Sequence, residues 1–104
     1  MYDYFGRTLE QVRKNLKNTK AYFKAQKGLI LAQCHDWEKT SVEVIISQIE
    51  GLDYVPDWAV VMVNKPYNDG LICGASRKEL MTLLKMKQSI AKDQETIKNN
   101  TKPE

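Results

Sequence analysis

The longest apolar run in the chain extends from Trp58 to Val63 and contains six residues, three of them β-branched. Six residues is a usual length for a strand and is short for a helix. Pro56 holds Val55 in an extended conformation just ahead of the run, and residues 65–70 behind it are rich in turn formers. The pattern therefore predicts a central strand that is buried on both faces, with Trp58 packed in the core.

Three other segments have the apolar spacing of amphipathic helices. The first apolar stripe runs from Leu9 to Phe23, and Gly28 is a suitable residue for ending that helix. Each helix is expected to begin at a capping box, in which a Ser or Thr is followed three residues later by Glu or Gln. The three capping boxes are Thr8 to Gln11, Thr40 to Glu43 and Ser76 to Glu79, and the second helix is expected to bury Val42, Ile45, Ile46 and Ile49.

The segment from Leu29 to Cys34 allows two interpretations. Either a second strand begins here, or the first helix continues to about residue 36, because the three-four apolar spacing can be extended to Gln33. The strand is favoured, since the interior Gly28 would cost a helix about 1 kcal/mol. In addition, a two-stranded hairpin is only marginally stable without a third strand. The hairpin would consist of the central strand and Leu71 to Cys73, paired antiparallel. The segment from Leu29 to Cys34 would then supply the third strand.

The predicted fold class is therefore α+β. The expected order is helix, strand, helix, strand, strand, helix, with the helices packed on a three-stranded sheet in one domain over residues 1–98. Residues 99–104 are expected to form a disordered tail, whereas Tyr2, Tyr4 and Phe5 are expected to fold back on the core. The alternative is a mostly α fold with a long first helix.

The passage from Ser41 to Ser76 consists of an apolar helix, a predicted strand, an Asp-Gly turn and a second predicted strand. It resembles the same passage in the substrate-binding domain attached to DHH-type phosphoesterases, and also in roadblock-type dimerisation domains. The likeness is one of topology. The Gly-Gly-Gly-His signature of the first family is absent, so no functional residue is carried over from either family.

Charge is segregated along the chain. Residues 1–28 have a net charge of +5, residues 29–72 a net charge of −5, and residues 73–104 a net charge of +3. The first helix carries five basic residues three or four positions apart, which places them on one face. This basic stripe could bind phosphates, an acidic protein or the acidic middle of a second copy, or it could simply be solvated. The basic stripe consists of Arg13, Lys17, Lys20, Lys24 and Lys27.

The only cluster that suggests catalysis is Cys34-His35-Asp36. Adjacent residues do not form a nucleophilic triad easily, so a Cys–His dyad would have to pair His35 with Cys73. The Cys-x-x-Cys spacing of structural zinc sites is missing, and no glycine-rich phosphate loop is present. We therefore predict no catalytic residue, no cofactor and no metal site. Both cysteines should be reduced, and the apolar runs are too short to cross a membrane, which indicates a cytoplasmic protein.

These observations predict a small binding protein, such as an adaptor, an inhibitor or a subunit, rather than an enzyme. Tyr54 and Tyr67 are expected to be exposed beside acidic residues and, with the basic stripe, to contact a protein partner. The alternative is a nucleic-acid-binding accessory protein. Thirteen Lys against three Arg weaken that alternative, because Arg is the residue that reads bases. A homodimer is possible, and the Lys, Asn and Ile content is compatible with a phage or mobile-element gene.

Overall fold

The computed structural model describes residues 8–100, which form four α-helices and contain no strand. The prediction of an α+β domain with a three-stranded sheet is therefore wrong, and this part of the chain is mostly α. Short 3₁₀ helices, Asp36–Glu38 and Asp57–Val60, precede the second and third helices. The helices are α1 (Leu9–Gln33), α2 (Lys39–Glu50), α3 (Val61–Asn68) and α4 (Gly74–Asn100).

Some of the expectations from the sequence cannot be compared with the described residues, and others depended on strands that are absent from them. The expected contacts of Tyr2, Tyr4 and Phe5, and residues 101–104 of the expected tail, lie outside the described residues. The resemblances of residues 41–76 depended on two strands that this segment does not contain. No helix within the described range is both long and apolar enough to cross a membrane.

Helices α1 and α4 form a long antiparallel pair. The Gln26 side chain donates a hydrogen bond to Glu79, and the Lys87 ammonium lies 6.0 Å from the centre of the Phe23 ring. Later residues of α4 therefore meet earlier residues of α1. Helices α2 and α3 pack against α4 as a second layer, the α2–α3 lobe, defined as residues 34–73. The main core contains Ile30, Val42, Ile45, Ile46, Ile49, Ala59, Val63, Ile72, Leu80, Leu83 and Leu84.

Of the three predicted capping boxes, only the first begins its helix as expected. At α1 the box is present, because Thr8 Oγ1 accepts from the Gln11 N–H at 3.2 Å and the Gln11 side chain accepts from the Thr8 N–H at 2.9 Å. Helix α2 begins at Lys39 without a side-chain cap, although its predicted buried face is confirmed. Helix α4 begins at Gly74, two residues before the predicted cap Ser76.

The strand predicted from Leu29 to Cys34 is wrong, because α1 continues through Gly28 to Gln33. Ile30 is only 3% exposed and belongs to the main core, and Leu31 and Cys34 pack against it. Burying these side chains is worth more than the roughly 1 kcal/mol that glycine costs a helix. The alternative of a long first helix is the one that agrees with the structure.

The strands predicted at residues 58–63 and 71–73 are also wrong. Residues 57–60 form a 3₁₀ helix that leads into α3, and residues 71–73 connect α3 to α4. Of the six residues in the apolar run, only Ala59 and Val63, which are four residues apart, are buried. Trp58 is 62% exposed and Val61 is 51% exposed. The run is uniformly apolar because a buried helical face and an exposed apolar face interleave, and not because a strand is covered on both sides.

We expect Gly28→Ala to raise the free energy of unfolding by about 0.5–1 kcal/mol, since Gly28 is exposed in a helix interior. An added Cβ at Gly28 would have no atom within 4 Å. Gly70→Ala is the matched control and should destabilise by about 1–2 kcal/mol, because Gly70 has a φ of +76°. Urea unfolding measures both changes. A loss of stability in Gly28→Ala would contradict the continuous first helix.

Candidate functional site

A shallow apolar hollow lies on the outer face of the α2–α3 lobe. Its volume is about 380 Å³. Trp58 and Leu71, at opposite ends of α3, are 62% and 49% exposed. We call this surface the Trp58 patch, and its lining residues are Gln48, Trp58, Val61, Met62, Lys65, Pro66, Asp69 and Leu71.

Helical geometry explains why this surface is exposed. Ala59 and Val63 have to face the core, and the residues between them on a helix then point in other directions. Val61 is left on the solvent side. Exposed helix faces are usually polar, so this exposed apolar surface is unusual. The expectation that Trp58 packs in the core is wrong, and sequence reasoning missed this surface.

The Trp58 patch has one ion pair in its lining and acidic residues beside it. Asp57 precedes Trp58, and Asp69 lines the hollow and forms an ion pair with Lys65 at 3.4 Å. A second hollow, of about 450 Å³, shares Gln48 with the patch and is lined by Glu43. The lobe as a whole has a net charge of −5. A partner with positive charge around an apolar centre would complement this surface.

The basic stripe lies on α1, and its members are not equivalent. Arg13, Lys17, Lys20 and Lys24 are exposed, and none has an ion pair among the residues that the structure describes. Lys27 instead forms an ion pair with Glu50, at the end of α2, at 3.0 Å. The first four residues are therefore available to a partner, whereas Lys27 helps to hold α1 against α2.

The two tyrosines named from the sequence have different neighbours along α4. Tyr54 is 68% exposed and lines a groove of about 600 Å³ beside α4, together with Lys92 and Lys98. Tyr67 is 40% exposed, and the guanidinium of Arg77 lies 5.1 Å from its ring centre. A cation over an aromatic face stabilises both groups.

A polar cluster lies where the connection between α1 and α2 meets the start of α4. Glu38 is fully buried there. Its carboxylate accepts hydrogen bonds from the backbone N–H groups of His35, at 3.1 Å, and Cys73, at 3.2 Å. The side chains of Ser76 and Cys73 lie beside the carboxylate and favour its charge, and the Cys73 thiol donates to Ser76 Oγ at 3.5 Å. We call His35, Glu38, Cys73 and Ser76 the Glu38 cluster.

The pKa of Glu38 lies below its usual range. Burial is the largest single influence and raises the pKa, but the hydrogen bonds from Ser76, Cys73 and His35 together outweigh it. The carboxylate also lies at the N-terminal end of the 27-residue α4, where the helix dipole favours negative charge. Glu38 is therefore an ionised group that holds two segments of the chain together.

The Cys34-His35-Asp36 cluster does not act as a unit in the structure. The Cys34 thiol donates to the Leu31 carbonyl at 3.6 Å. Burial and, after it, the charge of Glu38 raise the pKa of Cys34, so this thiol is a poor nucleophile. His35 is exposed and its ring stacks on Trp37, with 6.1 Å between the ring centres. His35 also lies near Cys73, the one cysteine with which the sequence could form a dyad.

We expect Glu38→Gln to lower the free energy of unfolding by about 1.5–3 kcal/mol near neutral pH, because charge-assisted hydrogen bonds are lost. A lowered folded-state pKa contributes stability that is complete above the unfolded value, about 4.3. That contribution disappears as the pH falls through the folded value. The difference in unfolding free energy between wild type and Glu38→Gln, measured in urea, should therefore narrow below about pH 4.

The matched control is Glu43→Gln, which changes an exposed carboxylate on α2. Its unfolding free energy should follow the wild-type pH dependence. If the difference in unfolding free energy between wild type and Glu38→Gln stays constant across the acidic range, Glu38 is not ionised in the folded protein.

The Trp58 patch, the basic stripe and the Glu38 cluster are the three features from which a function can be inferred. Comparison with known proteins finds no family model that matches the chain, and no match among curated proteins or solved structures.

Proposed function

We propose that the chain is a protein-binding module that acts as an adaptor, an inhibitor or a subunit, and that its binding surface is the Trp58 patch. The observation that supports this proposal is the exposure of Trp58, Val61 and Leu71 around one hollow. Exposed Trp residues within apolar hollows are the residues that most often dominate binding energy. The proposed role is non-catalytic.

The proposed occupant is an amphipathic helix of a partner protein with basic residues along its edges. The hollow extends along α3 from Trp58 to Leu71, and a helix fills such a groove with apolar residues at positions i, i+3, i+4 and i+7. Asp57 beside Trp58 and Glu43 in the adjoining hollow favour basic edges on the partner. We also propose a cytoplasmic location, because both cysteines are free thiols and such thiols persist in reducing compartments.

A displayed library of helical peptides tests this assignment. Peptides retained by the wild-type protein should share an apolar face flanked by Lys or Arg. For such a peptide, Trp58→Ala should raise the dissociation constant by about thirtyfold or more, since interface hot spots are worth about 2 kcal/mol or more. Trp37→Ala is the matched control, because Trp37 is 61% exposed but does not line the patch.

Three outcomes would contradict the proposal. The first is that no retained peptide depends on Trp58, and the second is that both Trp variants weaken binding equally. The third is that the wild-type chain forms a dimer in sedimentation and that Trp58→Ala dissociates it. That result would assign the patch to a second copy of this chain.

A second candidate function is binding to a nucleic-acid backbone. The supporting observation is that Arg13, Lys17, Lys20 and Lys24 are exposed on one helix without ion pairs in the described part of the chain. Such a row can contact successive phosphates. The small number of Arg residues favours binding without sequence preference.

If the basic stripe contacts phosphates, reversing Lys17, Lys20 and Lys24 to Glu should abolish binding to an oligonucleotide. Wild-type affinity should fall steeply with salt, by about 0.7–0.9 in the logarithmic slope for each contact. Fluorescence anisotropy with duplex and single-stranded oligonucleotides measures both effects.

The matched control reverses three exposed lysines of α4, Lys78, Lys85 and Lys98. This variant should retain a larger share of the affinity. Equal losses in the two triple variants would indicate general charge attraction. A wild-type protein that does not bind at about 150 mM salt would exclude this candidate.

A further inference from the structure

The Glu38 cluster brings together three different metal-binding groups, two of them three residues apart and the third 35 residues further along the chain. The imidazole of His35, the carboxylate of Glu38 and the sulfur of Cys73 offer ligand atoms that all lie within 4.8 Å of one another. They line one cavity of about 70 Å³, between the end of α1 and the start of α4. The cavity is large enough for an ion and a water molecule.

The distances fit a zinc ion after a small adjustment. Zinc bonds of about 2.0–2.3 Å in a tetrahedral site place neighbouring ligand atoms roughly 3.5 Å apart. The three groups would therefore have to approach each other by about 1.3 Å at most. His35 can make this movement, because its side chain is exposed. Glu38 and Cys73 are already held in place by their hydrogen bonds.

A metal ion can take one of the positions around the Glu38 carboxylate. An ionised carboxylate has about four lone-pair sites. The N–H groups of His35 and Cys73 use two of them, and the Ser76 and Cys73 side chains lie beside the remaining two. The Cys73 thiol itself donates to Ser76 Oγ at 3.5 Å. A metal ion between the Glu38 oxygen and the Cys73 sulfur would replace the direct contact of these two groups. The two N–H hydrogen bonds would then orient the carboxylate, as outer-shell partners commonly do.

The ligand set favours zinc. One thiolate, one imidazole and one carboxylate are all ligands that Zn²⁺ accepts, whereas Mg²⁺ and Ca²⁺ prefer oxygen ligands alone. Cys73 has to lose its thiol proton to solvent on binding. The sulfur then remains an acceptor for the Ser76 N–H, which lies 3.5 Å away.

We infer that His35, Glu38 and Cys73 form a zinc-binding site whose fourth position is filled by water. Cys34 lines the same cavity, but its thiol donates to the Leu31 carbonyl and its sulfur is outside the group of close ligand atoms. Zinc bound at this site would crosslink the connection between α1 and α2 to the start of α4. The inference does not depend on the proposed function of the Trp58 patch.

The test uses Co²⁺ as the probe, titrated into the reduced full chain. Binding should produce the thiolate charge-transfer absorption and the visible bands of four-coordinate Co²⁺, and Zn²⁺ should remove both by displacement. Cys73→Ser should abolish the charge-transfer absorption. His35→Ala should weaken Co²⁺ binding by at least about tenfold.

Cys34→Ser is the matched control, because it changes the other cysteine of the cavity and should leave the Co²⁺ affinity unchanged. Circular dichroism of each variant confirms that the helices are retained, and His35→Ala is the safest of them because His35 is exposed. The inference is overturned if the wild-type chain gives no charge-transfer absorption. It is also overturned if Cys34→Ser removes the absorption as completely as Cys73→Ser, or if His35→Ala binds Co²⁺ as tightly as wild type.

Discussion

The buried carboxylate of Glu38 is the contact that connects the two halves of the chain. It accepts N–H groups from His35, three residues earlier, and from Cys73, 35 residues later. A buried charge of this kind is costly unless every oxygen is hydrogen-bonded, and here the partners come from both segments. The start of α4 is therefore fixed beside the end of α1. From that point α4 can run back along α1. Helices α2 and α3, which lie between α1 and α4 in the sequence, then pack against α4 as the second layer.

The parts of the fold that could be predicted from the sequence are those specified by local signals. The capping box at Thr8 marks the start of α1, and the apolar spacing of Val42, Ile45, Ile46 and Ile49 identifies the buried face of α2. Both signals lie within one or two turns of helix. The ionised Glu38 gives no such signal, because only one of its backbone partners, His35, is local and the other, Cys73, lies 35 residues away in the chain.

The errors arose where local rules were outweighed by packing. Gly28 is a good terminator, yet Ile30 beyond it is needed in the core and keeps the helix continuous. The apolar run at residues 58–63 suggested burial on both faces, because most exposed helix faces are polar. The exposure of Arg13, Lys17, Lys20 and Lys24 on α1 could be anticipated, since long charged side chains rarely become buried. The Trp58 patch could not, because an outward-facing apolar residue and a core residue have the same appearance in a sequence.

The separation of charge between the two layers gives the molecule a polarity as a whole. Helices α1 and α4 carry net charges of +5 and +3, whereas the α2–α3 lobe carries −5. A body charged in this way has a dipole moment, and the field of any large charged surface exerts a torque on it before contact. The chain would therefore turn during approach, with α1 and α4 toward a polyanion and the lobe toward a polycation. Rotational steering of this kind shortens the search for a productive encounter and weakens as the Debye length falls.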